Sequence, residues 1–137
     1  MDTPEARCLL LAIAAQESGL AERYQFGGGE ANGFWQFQLD GVAGAMSGIT
    51  RAYAETACAI LAIDPDPGSV WQAIEYNDVL AAVIARLTLW PDPAPLPAVG
   101  DWLESFGYYV RRWKPGKEAP ERWATAYDVA VAAIQSA

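Results

Sequence analysis

Histidine is absent from the chain. That absence excludes Ser-His-Asp and Cys-His nucleophilic sites, imidazole metal ligands, and imidazole acid–base chemistry. Any reaction has to run on carboxylates, Tyr, Lys, Ser or the two cysteines. Cysteine is scarce: Cys8 and Cys58 each sit in an Ala/Leu/Ile-rich stretch. They read as small buried hydrophobes rather than a disulfide framework. Positive charge is also scarce, with 9 Lys and Arg against 17 Asp and Glu and a net charge of −8. That balance argues against the phosphate backbone of a nucleic acid as the main partner. Long apolar runs are missing. The longest, Cys8 to Ala15, is too short to span a bilayer, so no membrane insertion is expected. No segment carries a strong strand signal, and there are no internal repeats. The acidic start (Asp2, Glu5) is the reverse of a basic secretory leader, so synthesis in the cytoplasm is expected.

What is present is a hydrophobic fraction of 53% with six Trp, six Tyr and four Phe in 137 residues. This is enough for one ordinary domain over residues 1–137 with a core of its own. Helical periodicity organises it. Asp2 or Thr3 can cap a helix over about 4–18, with Pro4 in its first turn and Gly19 to end it in a left-handed conformation. Further helices are expected over about 51–62 (Thr50 as cap), 70–76 (a Ser69–Gln72 capping box), 78–89 (Asn77 as cap), 101–113 and 120–136. Residues 20–48 are glycine-rich and leave room for at most a short helix or a small hairpin. Pro91 to Pro97 forms a stiff connector within the domain. The expected fold class is mainly α, with one Gly-rich loop region.

Leu10, Ile13, Ala14 and Glu17 stand at i, i+3, i+4 and i+7, so Glu17 lies on the apolar stripe of the first helix, in its last turn. Burial there, and the unpaired carbonyls of the helix end, both disfavour a charged carboxylate. A carboxyl kept protonated toward neutral pH is what a general acid needs. The alternative is a Glu that bends to water at a helix edge. The segment Gly33-Phe34-Trp35-Gln36-Phe37 offers rings for the flat faces of sugars and an amide for a hydroxyl or carbonyl, or it is plain core.

Together, Ala14-Ala15-Gln16-Glu17-Ser18-Gly19 and Gly33-Phe34-Trp35-Gln36-Phe37, with nineteen positions from Glu17 to Gln36, resemble the lysozyme superfamily. The nearest pattern is that of lytic transglycosylases and goose-type lysozymes, with a helix ending in Glu-Ser and a later Gly-Leu-Met-Gln-like motif. Phe34-Trp35 stands here for Leu-Met, and the family's Ala-Tyr-Asn-Ala-Gly motif is absent. Glu75-Tyr76-Asn77-Asp78 contains Tyr-Asn but reads as a helix boundary. Phe106-Gly107-Tyr108-Tyr109 followed by Arg111-Arg112-Trp113-Lys114-Pro115-Gly116-Lys117 is similar to a signature of phage and prophage lysozyme-like proteins. The resemblance implies a lysozyme-like domain whose Gly-rich region lines a cleft. It implies cleavage of the β-1,4 bond between MurNAc and GlcNAc in peptidoglycan, with Glu17 as acid/base and no cofactor or metal. Ser18, Gln36, Phe34, Trp35, Tyr108, Tyr109 and Arg112 would contact substrate.

Hydrolases of this kind use a second carboxylate, for which Glu30 and Asp40 are the candidates; a transglycosylase needs only the one and closes a 1,6-anhydro ring. A third alternative is a virion or structural module that binds glycan without cutting it. The basic run Arg111, Arg112, Lys114, Lys117 and Arg122 could hold carboxylates of a peptide stem or lactyl group, or simply complement helix ends. The expected partner is a glycan strand met by a monomer, reached through holin release, virion delivery or dedicated export.

Overall fold

Thr3 opens the first helix by accepting a hydrogen bond from the Ala6 amide at 3.2 Å, and Pro4 occupies a position whose amide needs no partner. In the computed structural model, which describes residues 1–25 and 27–137, this helix is α1 (Pro4–Ser18). Gly19 closes it at φ +63°, returning its amide to the Ala15 carbonyl. Six more α-helices follow among the described residues: α2 (Leu39–Ala45), α3 (Arg51–Leu61), α4 (Pro67–Ala73), α5 (Asp78–Leu89), α6 (Trp102–Trp113) and α7 (Pro120–Ser136). The chain is mainly helical, and none of these helices is long and apolar enough to cross a membrane.

α1 is buried around most of its circumference. Ala6, Cys8, Leu9, Ala12, Ile13 and Ala14 are all within 2% of complete burial, the mark of a helix at the centre of a core rather than on its surface. Its main neighbour is α7, which contributes Trp123, Tyr127 and Ala130 to the same core. α5 also packs against α1 and adds Leu80, Ala81, Ile84 and Ala85 to the core. Each fully buried Leu or Ile contributes about 1.5–3 kcal/mol. Both cysteines are buried and unpaired, as their surroundings suggest.

Two local expectations are corrected. α4 starts at Pro67, three residues before the expected position, because Asp66 rather than Ser69 caps it, accepting the Ser69 amide at 3.2 Å. Thr50 does not cap α3 with its side chain. Its hydroxyl donates to the Ala45 and Ser47 carbonyls, closing α2 instead. Of the two alternatives for the Gly-rich region, the structure has the short helix, α2; among the described residues there is no strand there, only the isolated antiparallel bridges Tyr24–Asn32 and Asn32–Phe37.

Side-chain hydrogen bonds tie that region down where strands would have done so by backbone pairing. Trp35 Nε1 donates to the Leu10 carbonyl of α1 at 2.9 Å. Trp71 Nε1 of α4 donates to the Phe37 carbonyl at 2.9 Å, and Asn32 Nδ2 donates back to the Trp71 carbonyl at 3.1 Å. Gly33 passes so close to α4 that a Cβ would stand 2.8 Å from the Ile74 carbonyl oxygen, with φ at +74°. The loop is thereby fixed to α1 and α4, with its Gln36–Phe37 end beside the C-terminus of α1.

Candidate functional site

The last turn of α1, the Gln36–Gly41 segment, Thr88 of α5 and the Arg112–Gly116 end of α6 enclose a groove of about 580 Å³. Glu17 is one of its walls. The apolar stripe carries this residue inward, and the side chain is half-buried. Tyr109 in α6 donates its hydroxyl to Glu17 Oε1 at 2.5 Å. Burial drives the Glu17 pKa upward, the hydrogen bond from Tyr109 and the charge of Arg122 oppose it, and burial wins. The Tyr109 phenol is itself held far above its ordinary range by burial, then by its bond to Glu17 and that residue's charge. It therefore stays a donor at every physiological pH. With Oε1 accepting from Tyr109, the proton of the acid form belongs on Oε2.

Tyr109 is fixed from behind. Its ring stacks on Trp123 of α7 with centroids 4.8 Å apart and 11° between planes. Trp123 is completely buried and donates its indole N–H to the Trp102 carbonyl at 3.2 Å.

Phe37 and Trp113 also line the groove, with ring centroids 5.3 Å apart; Phe37 is buried in the core, so Trp113 offers most of the accessible ring surface. Gln36 also lines the groove. Its backbone takes a left-handed conformation, φ +53°, that costs a non-glycine residue about 1–2 kcal/mol. Part of that is offset locally, because its amide Nε2 and its backbone N–H both donate to the Gly33 carbonyl, at 2.9 and 3.0 Å. The side-chain oxygen of Gln36 is left to accept. Asp40 lines the groove from the first turn of α2, with Oδ1 accepting its neighbour's amide, Gly41 N, at 2.8 Å.

The structure thus gathers Glu17, Tyr109, Gln36, Arg112 and Asp40 around one region. The other expected contacts lie elsewhere. Tyr108 is buried with its hydroxyl on the Leu89 carbonyl at 3.3 Å and Arg111 over its ring at 4.7 Å. One helix position, a rotation of about 100°, separates it from Tyr109 and turns it away from the groove. Trp35 is buried with its N–H on α1, so it belongs to the core. Phe34 lies beneath the Arg23 guanidinium, 4.5 Å from its ring centroid, outside the groove. Ser18 donates to the Ala14 carbonyl and accepts from the Leu20 amide, finishing the helix rather than reaching a ligand. Glu30 is exposed on the loop and does not line the groove.

Four of the five residues of the basic run are divided among three tasks. Arg111 pairs with Asp92 at 2.9 Å, and Asp92 has only 4% of its side chain exposed. Arg112 is held by the Thr88 carbonyl, 3.0 Å from Nη2, and lines the groove with Lys114. Arg122 donates to the Gln16 carbonyl at 3.1 Å, beneath the end of α1. Among the described residues, no cluster of three or more Cys, Asp or Glu is placed to hold a metal ion.

Phe37 and Trp113 were not among the expected substrate contacts. A signal for Trp113 was present: Tyr109, Arg112 and Trp113 stand at i, i+3 and i+4, so one helix face carries all three. No protein-family model, curated protein or solved structure matches the chain.

Proposed function

We propose that the chain cleaves the β-1,4 glycosidic bond of peptidoglycan, with Glu17 as the general acid and base. The observation that carries this reading is the placement of Glu17. It is a half-buried carboxyl with a raised pKa, held by a permanent phenol donor on one oxygen and set in the wall of an open groove. A groove lined in part by the half-buried ring of Trp113 suits the flat face of a pyranose. The resemblance of residues 14–19, 33–37 and 106–117 to lytic transglycosylases points the same way.

In the first step Glu17 Oε2 gives its proton to the glycosidic oxygen as the C1–O bond breaks and positive charge develops at C1. The resulting carboxylate keeps its bond from Tyr109. It then takes the proton of the sugar's own 6-hydroxyl while that oxygen attacks C1. Glu17 ends protonated and the product carries a 1,6-anhydro ring, so no water is consumed. The transglycosylase outcome is favoured because Glu17 alone combines burial, a donor and the groove.

Asp40 gives a specific ground for a second reading, hydrolysis, because it lines the same groove. Positioning a water would require it to stand about 6.5–9.5 Å from Glu17 for inversion. Asp40→Asn separates the two: hydrolysis fails without the carboxylate, and anhydro-ring formation continues. Zymography on gels containing purified cell walls tests the activity itself. Clearing by the wild type and none by Glu17→Gln is expected. Wall binding without clearing would favour a glycan-binding module.

A further inference from the structure

The start of α7 reaches the Glu17 site twice. Trp123 lies under the Tyr109 ring, and the residue before it, Arg122, donates Nη2 to the Gln16 carbonyl at 3.1 Å. Gln16 immediately precedes Glu17, so the guanidinium sits on a carbonyl of the turn that carries the acid. No basic residue of α1 itself lies in that last turn, and the negative end of the α1 dipole has no cation from its own helix. Arg122 makes no ion pair among the described residues. Its charge is therefore left to act on the end of α1 and on the carboxyl beyond it.

We propose that Arg122 is a positioning residue for Glu17: it clamps the closing turn of α1 and supplies the positive charge that balances the carboxylate formed when Glu17 gives up its proton. This rests on the reading of Glu17 as an acid and base, and it assigns Arg122 a part in both half-reactions. Without a counter-charge, a half-buried carboxylate next to a helix C-terminus would be too reluctant to form, and the proton would not leave for the glycosidic oxygen. Tyr109 stabilises the same anion from the α6 side, and Arg122 does so from α7. The direction of the Arg122 effect on Glu17 agrees, since its charge lowers the pKa that burial raises. Besides Glu17, the charged groups of the groove are Arg112 and Lys114 from the end of α6 and Asp40 from α2; Arg122 itself stands in the adjoining hollow at the end of α1, beside Glu121 of its own helix. Because Arg122 is exposed, its influence is screened by salt.

The test is a direct titration of the Glu17 side-chain carboxyl by carbon NMR, in the wild type, Arg122→Gln and Arg122→Lys. It needs no substrate, so it stands apart from the zymogram that tests the activity. The expected result is an upward shift of the Glu17 midpoint in Arg122→Gln and recovery in Arg122→Lys. The gap between wild type and Arg122→Gln should narrow as salt is raised. A purely structural role would leave the midpoint where it is. An unchanged midpoint in Arg122→Gln, or a shift that lysine does not reverse, overturns the assignment. If the titration behaves as expected but wild-type protein leaves walls intact, the enzymatic reading fails while the Arg122–Glu17 coupling stands.

Discussion

The rings of Tyr109 and Trp123 lie 4.8 Å apart and 11° from parallel. Trp123 is sealed in the core, so the stack fixes where the Tyr109 hydroxyl can go, and it goes to Glu17 Oε1. Tyr109→Phe keeps the stack and removes only the hydroxyl. A hydrogen bond to a charged group contributes about 1.5–3 kcal/mol, so wall cleavage should fall about tenfold or more. The unfolding free energy should change by no more than about 1 kcal/mol, since an unpaired protonated carboxyl at the groove can turn to water. Parallel losses in cleavage assays and urea unfolding would make Tyr109 a packing residue only.

That stack also marks what the sequence could reveal. The first helix was legible to the residue because Thr3, Pro4 and Gly19 are local signals whose effect needs no tertiary partner. Asn77 was legible for the same reason, accepting the Leu80 amide at 3.0 Å. The position of Glu17 on the apolar stripe followed from helical spacing alone. Tyr108 and Tyr109 could not be told apart by adjacency. They part company because α6 turns one toward α5 and the other toward α1, which depends on packing between distant segments. Whether Phe34 and Trp35 are exposed rings or core could not be decided locally, because the Gly-rich segment gives no period. The burial of Trp35 follows from its indole reaching the Leu10 carbonyl, a contact between segments that local reading does not link. Asp66 took the cap assigned to Ser69 because Pro67 starts a helix as readily as Ser69 caps one.

The acid–base state of Glu17 should leave a trace in stability. Its pKa in the folded protein is raised above the ordinary value of 4.5 by burial. Between those two values the folded state binds more protons than the unfolded state, so stability is lost as pH rises through that window. The contribution is complete below about 4.5 and gone above the folded pKa. Glu17→Gln has no such group. Denaturant unfolding from pH 4 upward should show the wild type losing stability relative to Glu17→Gln as pH increases, then a constant difference. Curves that stay parallel throughout would mean that burial does not perturb Glu17.

The groove wall depends on Gly33. An alanine there must adopt φ near +74° and place its methyl 2.8 Å from the Ile74 carbonyl oxygen, a backbone atom of the neighbouring segment. The conformation alone costs about 1–2 kcal/mol, and the contact adds to it. Gly33→Ala should lower the unfolding free energy by at least about 2 kcal/mol in urea. A loss below about 0.5 kcal/mol would indicate that the loop is not seated on α4.

If Glu17 drives intramolecular ring closure at a wall glycan, as proposed, the masses of the soluble products will show it. Purified peptidoglycan incubated with the wild type should release muropeptides lighter by one water than the hydrolytic products, and Glu17→Gln should release none. Products of full hydrolytic mass from the wild type, equal release by Glu17→Gln, or no release by the wild type would overturn ring closure by Glu17.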